Sequence, residues 1–214
     1  MEGRNSMFGI VHYEIFFVTS LLLAIAPGSD TIYLLSQSIS QGRRAGIYST
    51  LGTSAGCAIH TLLAALGLSV ILSQSALAFL LVKTAGALYL CYLGVTTLLA
   101  KNNALVLPAE NAKSNKALFL QGLITDVLNP KVALFFISFL PQFIDPTNAY
   151  GIIPFLLLGM TFLTLGTLWG LVLVFFSSGV TAFLRQSSKT ADTISKVCGG
   201  VYLLLGAKLL ADER

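Results

Sequence analysis

Charged side chains are scarce in this 214-residue chain, since Lys, Arg, Asp and Glu together make up 10% of it. An ordinary soluble domain carries roughly 25% charged residues. So few charges cannot cover a soluble globule with polar surface, and 55% apolar residues with a mean hydropathy of +0.82 indicate a membrane protein. The formal net charge of +4 therefore says little about nucleic acid, and the position of each charge matters more than the total.

Paired cysteines and metal-ligand motifs are also missing. Cys57, Cys91 and Cys198 stand singly in apolar stretches, without C-x-x-C spacing. We interpret them as buried small hydrophobic residues, so the sequence predicts neither a disulfide nor a cysteine metal site. There is no H-x-x-x-H pair and no large carboxylate cluster, and we expect no metal, no cofactor and no catalytic residues.

Long apolar runs are abundant, and each is near the roughly 20 residues that a helix needs to cross a bilayer. The longer runs can tilt or kink within the membrane. The predicted spans are Ile15–Ile39, Gly46–Leu72, Ala76–Ala100, Ala117–Leu140, Ile152–Phe176 and Ile194–Leu210.

Proline interrupts the first and fourth spans near their middle, with ionisable residues beside it. Proline removes a helical hydrogen bond and clashes with the preceding turn, so each helix should break there. Unwound backbone at bilayer depth survives only where protein covers it or where it lines a cavity. Such breaks in corresponding positions of two halves are typical of a transporter binding site. The breaks comprise Ala26, Pro27, Gly28, Ser29 and Asp30, and then Asp126, Val127, Leu128, Asn129, Pro130 and Lys131.

An internal repeat supports six spans. The pattern K-x-x-G-x-x-Y-L occurs in the third span from Lys83 and in the sixth span from Lys196. Three spans per repeat is an odd number, so the second copy must enter the membrane from the opposite side. The sequence thus predicts an all-α integral membrane protein with two inverted three-helix repeats, residues 1–100 and 117–214, joined by a cytoplasmic linker, 101–116. The alternative is chance similarity between Leu- and Gly-rich helices.

Lysine and arginine in the short loops predict the orientation. The loops after the first, third and fifth spans hold eight of these residues, whereas the opposite side holds four. The positive-inside rule places the richer side in the cytoplasm and both termini outside.

Four ionisable groups then fall in one layer near the midplane: Asp30, His60, Asp126 and Lys131. The half-helix that begins at Ser29 has free N–H groups at a positive dipole end, which can hold a carboxylate. An aspartate can hold an ammonium group, and it can also exchange a proton during a transport cycle. This layer suits a small zwitterion; the alternative is a charge network that only orients the helices.

A glycine-rich face of the second span and the single tryptophan are each explained by helix packing without a role in binding. Gly52, Gly56, His60 and Ala64 share one face of the second span, which we interpret chiefly as a close-packing face. For His60 itself, a hydrogen bond between helices is favoured over contact with a substrate. We interpret Trp169 as a packing or interface residue.

Two stretches resemble the signatures of the LysE/RhtB family of amino-acid exporters. The first stretch comprises the break at residues 26–30, GRRAG at 42–46 and the segment 52–68. The second comprises NPK at 129–131, FF at 135–136 and LPQF at 140–143. The family usually has Pro-Gly-Pro, whereas this chain has Pro27, Gly28 and Ser29, of which Ser29 can still cap the half-helix. The resemblance implies efflux of amino acids or close derivatives across a bacterial inner membrane, driven by the proton motive force.

The expected partners are a small amino acid, protons and the lipid bilayer, with no nucleic acid, and a homo-oligomer is compatible with the sequence. Two other function classes compete. Asp30 and Asp126 could form the dyad of an intramembrane aspartyl protease, although such enzymes carry Gly-x-Gly-Asp and this chain has Pro27 and Gly28 before Ser29 and Asp30. The other is a metal or ion exporter of a related superfamily.

The predicted orientation is testable with single cysteines at positions 44, 110 and 148 of a cysteine-free variant. We expect an impermeant thiol reagent to label only position 148 in intact cells, because the charge bias places the other two in the cytoplasm. Labelling of position 110 without permeabilisation would reverse the orientation.

Overall fold

In the computed structural model, the described residues are 8–68 and 113–177, except Pro27 and Pro146, with isolated positions in 80–99 and 196–207. Their long elements are helices, and the one β-bridge recorded for them, Ile10 with Ile144, belongs to no strand. The helices are α1 (Tyr13–Ile25), α2 (Ser29–Gln41), α3 (Arg43–Leu63), α4 (Asn115–Val127), α5 (Pro130–Leu134) and α6 (Ile153–Phe175). A π-helical turn, Ala64–Leu68, extends α3, and a π turn, Phe135–Phe139, with a 3₁₀ turn, Leu140–Phe143, extends α5.

These helices form two to four candidate membrane spans. Arg43–Leu68 and Ile153–Phe175 are each long and apolar enough alone. α1 with α2 is bent by 50°, and α4 with α5 and its extension is bent by 48°. They add two candidates if each bent pair is one broken span, rather than a re-entrant loop. The four candidates correspond to the predicted first, second, fourth and fifth spans, and the chain is a multi-pass membrane protein.

The predicted third and sixth spans, Ala76–Ala100 and Ile194–Leu210, lie largely outside the described residues. The isolated positions described within them, such as Leu80 and Leu204, are helical. The K-x-x-G-x-x-Y-L repeat falls mostly on positions that are not described, so the inverted six-helix arrangement stays a prediction.

The two predicted breaks are present, and their cause is local. Ala26, which precedes Pro27, has φ −57° and ψ 124°, and Asn129, which precedes Pro130, has φ −73° and ψ 109°. A following proline disfavours the helical conformation and favours this extended one. Pro130 then occupies the first position of α5, where its missing N–H costs no helical hydrogen bond. Pro27 itself lies outside the described residues.

Glycines bring α3 and α4 into close contact. A Cβ on Gly52 would overlap the carbonyl oxygen of Phe119, and one on Gly122 would lie 2.5 Å from the carbonyl oxygen of Ser49. One on Gly56 would lie 2.7 Å from Cβ of Asp126. The close-packing face predicted for the second span is therefore confirmed, and it faces α4.

Phenylalanine rings fill the half of the bundle that contains α1 and α5. Phe16 of α1 lies 5.9 Å from Phe135 and 5.2 Å from Phe143 between ring centroids. Phe135 stacks in turn on Phe162 of α6 at 4.3 Å. This cluster packs the α1 and α5 half-helices against α6.

The half that contains α2 and α4 is more polar. The hydroxyl of Tyr33 donates to the carbonyl oxygen of Leu118 at 2.6 Å, and Ser49 Oγ donates to that hydroxyl at 3.1 Å. These bonds join α2, α3 and α4 within a buried layer. The two halves of the bundle thus differ in chemistry, and the helix breaks lie where they meet.

The α3–α4 contact generates a stability prediction for the purified protein in detergent. Gly52→Ala should destabilise the fold by about 1–3 kcal/mol, because the added methyl group forces two backbones apart. Gly67→Ala is the matched control, since a Cβ there meets nothing within 4 Å. A lower thermal midpoint for Gly52→Ala alone is the expected result, and equal midpoints for both variants and the wild type would contradict it.

Candidate binding site at the two helix breaks

The two breaks lie side by side and are joined by one hydrogen bond. Asn129 Nδ2 donates to Asp30 Oδ2 at 2.7 Å. The two residues are 99 positions apart in the chain, one in the first turn of α2 and the other at the cap of α5. The bond therefore holds the two broken spans together at the point where both lose helical structure.

Asn129 also caps α5. Its Oδ1 accepts from the backbone N–H of Lys131 at 3.0 Å, which satisfies one of the free donors at the start of that helix. With Oδ1 engaged by the cap and Nδ2 by Asp30, both ends of the amide have partners.

α2 begins differently, and here one expectation is wrong. Gly28, not Ser29, occupies the N-cap position of α2, and no side chain makes a cap hydrogen bond there. Ser29 is the first residue of the helix, so it does not cap it. A helix start that no side chain caps retains N–H groups that can bind an anionic ligand.

Lys131 reaches across to the end of α1. Its Nζ donates to the carbonyl oxygens of Leu23 at 3.0 Å and Ala26 at 3.1 Å. These carbonyls belong to the last turn and C-cap of α1, where a helix leaves acceptors unsatisfied and carries partial negative charge. A Cβ on Gly28 would lie 3.2 Å from Nζ, so a larger residue there would crowd the lysine.

Asp126 is buried in the last turn of α4, with 5% of its surface exposed. Its Oδ2 has no hydrogen-bond partner in the described part of the chain, and the same holds for Oδ1 of Asp30. Each carboxyl group thus keeps one buried oxygen that lacks a donor. The charge of Lys131 acts on both carboxyl groups.

His60 supports this arrangement from α3. Its Nε2 lies 3.3 Å from the backbone oxygen of Asp126, and its ring stacks on Phe136 at 5.7 Å between centroids. His60 does not line the cavity described below. His60 thus lies between α3 and α4, and its role stays a prediction.

A cavity of about 60 Å³ opens beside the two carboxyl groups. At about 10–15 Å³ per water, it has room for roughly four to six water molecules. Its walls come from α1, α2, α3, α4, α5 and α6. The polar residues that line it are Asp30, Thr31, Thr53, Ser54, Asp126, Lys131, Thr167 and Trp169.

Of the predicted site residues, Asp30, Asp126 and Lys131 line the cavity, and Asn129 contacts one of them. Gly28 and Ser29 begin α2, Pro130 begins α5, and Pro27 lies outside the described residues. Among the described residues, no three His, Cys, Asp or Glu side chains converge as a metal site would require.

Sequence reasoning missed the contribution of α3 and α6 to the cavity. Ser54 Oγ and Thr167 Oγ1 lie 2.7 Å apart across these two helices, and both residues line the cavity. Trp169, interpreted from the sequence as a packing or interface residue, lines it as well. Isolated hydroxyl and indole groups within apolar helices do not reveal which face meets a cavity.

Comparison with known proteins identifies the family. The model of the LysE type translocator family matches residues 21–213. An uncharacterized membrane protein, YrhP, of Bacillus subtilis (strain 168) is 32% identical over 198 residues, which cover 87% of this chain and 92% of that protein. An uncharacterized membrane protein of Vibrio cholerae serotype O1 is 29% identical over 194 residues, or 91% of this chain and 94% of that protein.

A third relative has a functional name. The homoserine/homoserine lactone efflux protein of Salmonella typhimurium is 31% identical over 199 residues, which cover 93% of this chain and 95% of that protein. No solved structure shows a significant match to this chain. In the sequence, the two broken spans carried the resemblance to this family. The family model and these near full-length relatives show that the chain belongs to the LysE type translocator family.

Proposed function

We propose that this protein exports a small amino acid or a close derivative from the cytoplasm, with proton coupling, through the cavity at the two helix breaks. The observation that carries the proposal is the convergence of Asp30, Asp126 and Lys131 on one cavity between two broken spans. Membership of a translocator family and the efflux activity named for one relative support an amino-acid exporter and point to a transporter rather than an enzyme.

The cavity offers complementary groups for both ends of a zwitterion. The start of α2, which no side chain caps, is suited to the substrate carboxylate. Asp30 lies in the same first turn, and its Oδ1 lacks a hydrogen-bond donor among the described residues. An ammonium group bound there would supply that donor and neutralise the carboxylate.

Asp126 is our candidate for proton coupling. It is almost completely buried, its Oδ2 has no described partner, and it faces the same cavity as Asp30. Ionisable groups at membrane depth commonly take part in proton relays. Uptake of a proton by Asp126 on one side of the membrane, and its release on the other, would link substrate export to the proton gradient.

Lys131 has a structural role in this scheme. Its ammonium group binds the end of α1 and supplies positive charge opposite two carboxyl groups. Without it, the buried Asp126 and the partly buried Asp30 would face the cavity without a cation, which is costly within a membrane.

We further propose that residues 1–100 and 117–214 are inverted repeats about a cytoplasmic linker, 101–116, with both termini outside a bacterial inner membrane. The support is the similar bend of the two broken spans, 50° and 48°, and the contact between their breaks. Broken helices that meet at the interface of two repeats are typical of secondary transporters.

Export itself is the first test. Cells that overexpress the protein should release one or a few amino acids faster than empty-vector cells after preloading with each amino acid in turn. An uncoupler should slow this release if protons drive it. The absence of accelerated release for every amino acid and analogue would contradict the proposal.

The two aspartates should behave differently when each is replaced by its isosteric amide. Asp30→Asn should raise the KM for export by roughly tenfold to more than a hundredfold, because a charge-assisted hydrogen bond contributes about 1.5–3 kcal/mol. Asp126→Asn should flatten the dependence of export on pH, because the amide cannot carry the proton.

Asp145→Asn is the matched control for this pair. Asp145 accepts hydrogen bonds from Thr147 in the connection before α6 and does not line the cavity. Its replacement should leave both the KM and the pH profile unchanged. Wild-type kinetics and pH dependence in both cavity variants, at equal expression, would show that the aspartates are only structural.

A further inference from the structure

Trp169 of α6 is the single tryptophan of the chain, and its environment is unusual for a packing residue. It lines the cavity, yet its indole Nε1 is buried and has no hydrogen-bond partner in the described structure. An indole N–H can only donate, and buried donors are normally satisfied because an unmet one is costly. The described residues therefore supply no acceptor for this N–H.

Trp169 packs against α2, the helix that carries Asp30. Its ring packs against a buried cluster that includes Leu34 of α2 and Leu173 of α6. Leu34 lies one helical turn after Asp30, and one turn of helix rises by about 5.4 Å. The cavity thus has a carboxylate acceptor on α2, and an indole from α6 that packs against the cluster one turn further along α2.

Four other donors on the cavity wall have acceptors in the described structure. Ser54 Oγ donates to the carbonyl oxygen of Thr50 at 2.8 Å, and Thr167 Oγ1 donates to that of Leu163 at 2.8 Å. Thr53 Oγ1 donates to Thr50 at 3.0 Å, and Lys131 Nζ donates to α1. The indole N–H differs from these groups because it has no acceptor among the residues that the structure describes.

We propose that Trp169 is a specificity-determining residue whose indole N–H donates to an oxygen on the substrate side chain. The inference rests on the proposed function, with the ammonium group of the substrate at Asp30. The N–H is buried and has no partner among the described residues. In this proposal the bound substrate widens the cavity at the indole and supplies the acceptor. Amino acids with a side-chain oxygen are then preferred over aliphatic isosteres, which leave the donor unsatisfied.

Isosteric substrate pairs test this preference: threonine with valine, homoserine with norvaline, and asparagine with leucine. The wild type should export the oxygen-bearing member of at least one pair with a higher kcat/KM. Trp169→Phe keeps an aromatic ring but removes the N–H, so it should reduce that ratio by roughly three- to tenfold, the factor expected for one neutral hydrogen bond. Leu168→Ala is the control, since Leu168 is exposed and does not line the cavity, and it should leave the ratio unchanged.

Fluorescence of the purified wild-type protein provides a second measurement that needs no transport. All tryptophan emission comes from Trp169, so the oxygen-bearing substrate should shift it in a saturable manner and its isostere should shift it less. Export with an unchanged substrate ratio in Trp169→Phe would overturn the role of Trp169 and leave the exporter intact. Absence of export by the wild type would contradict the proposed export function. If no member of any substrate pair alters the emission, the role of Trp169 is also overturned.

Discussion

Backbone groups released at the two proline breaks need hydrogen-bond partners within the protein, because lipid offers none. Each break supplies partners for the other. Lys131 of the second break satisfies carbonyls at the end of α1, and Asn129 binds Asp30 at the start of α2. In this arrangement a cation and two carboxyl groups line one cavity. The start of α2, which no side chain caps, is left as the place for a ligand.

Close helix packing makes this junction buried. Gly56 of α3 has no side chain where Asp126 of α4 lies, and a Cβ there would come within 2.8 Å of Oδ2. The absence of that single atom allows the carboxyl group to lie directly against α3. His60 lies one turn further along α3, and its Nε2 contacts the backbone oxygen of Asp126. The same helix face therefore provides both the space for the carboxyl group and the support for its backbone.

The difference between the two halves of the bundle suits a transporter with its site in the middle. Phe162 lines the cavity and stacks on Phe135, which connects it to the aromatic cluster. Beyond the breaks, the layer formed by Tyr33 and Ser49 is hydrogen-bonded and polar. In this chain, the proposed zwitterion site thus lies where an apolar half meets a polar half.

The sequence by itself determined the features that depend on neighbouring residues. Proline restricts the residue before it, so Ala26 and Asn129 are extended and both helices break where predicted. The glycine spacing of α3 likewise predicted close packing, and the apolar runs predicted the two to four candidate spans among the described residues. The wrong expectation, that Ser29 caps α2, concerned a boundary of one residue, which local pattern specifies poorly.

Only the tertiary structure decided which groups meet. The partners of Lys131 lie more than 100 positions away, at the end of α1. The cavity walls at Thr167 and Trp169 come from α6, a helix that carries no charge and whose proline, Pro154, lies in its first turn, away from the cavity residues. Nearly every residue of a membrane helix is apolar, so its pattern shows that it spans but not which side faces a partner. Contacts between distant helices depend on their relative rotation and depth, and these follow from packing the whole bundle at once.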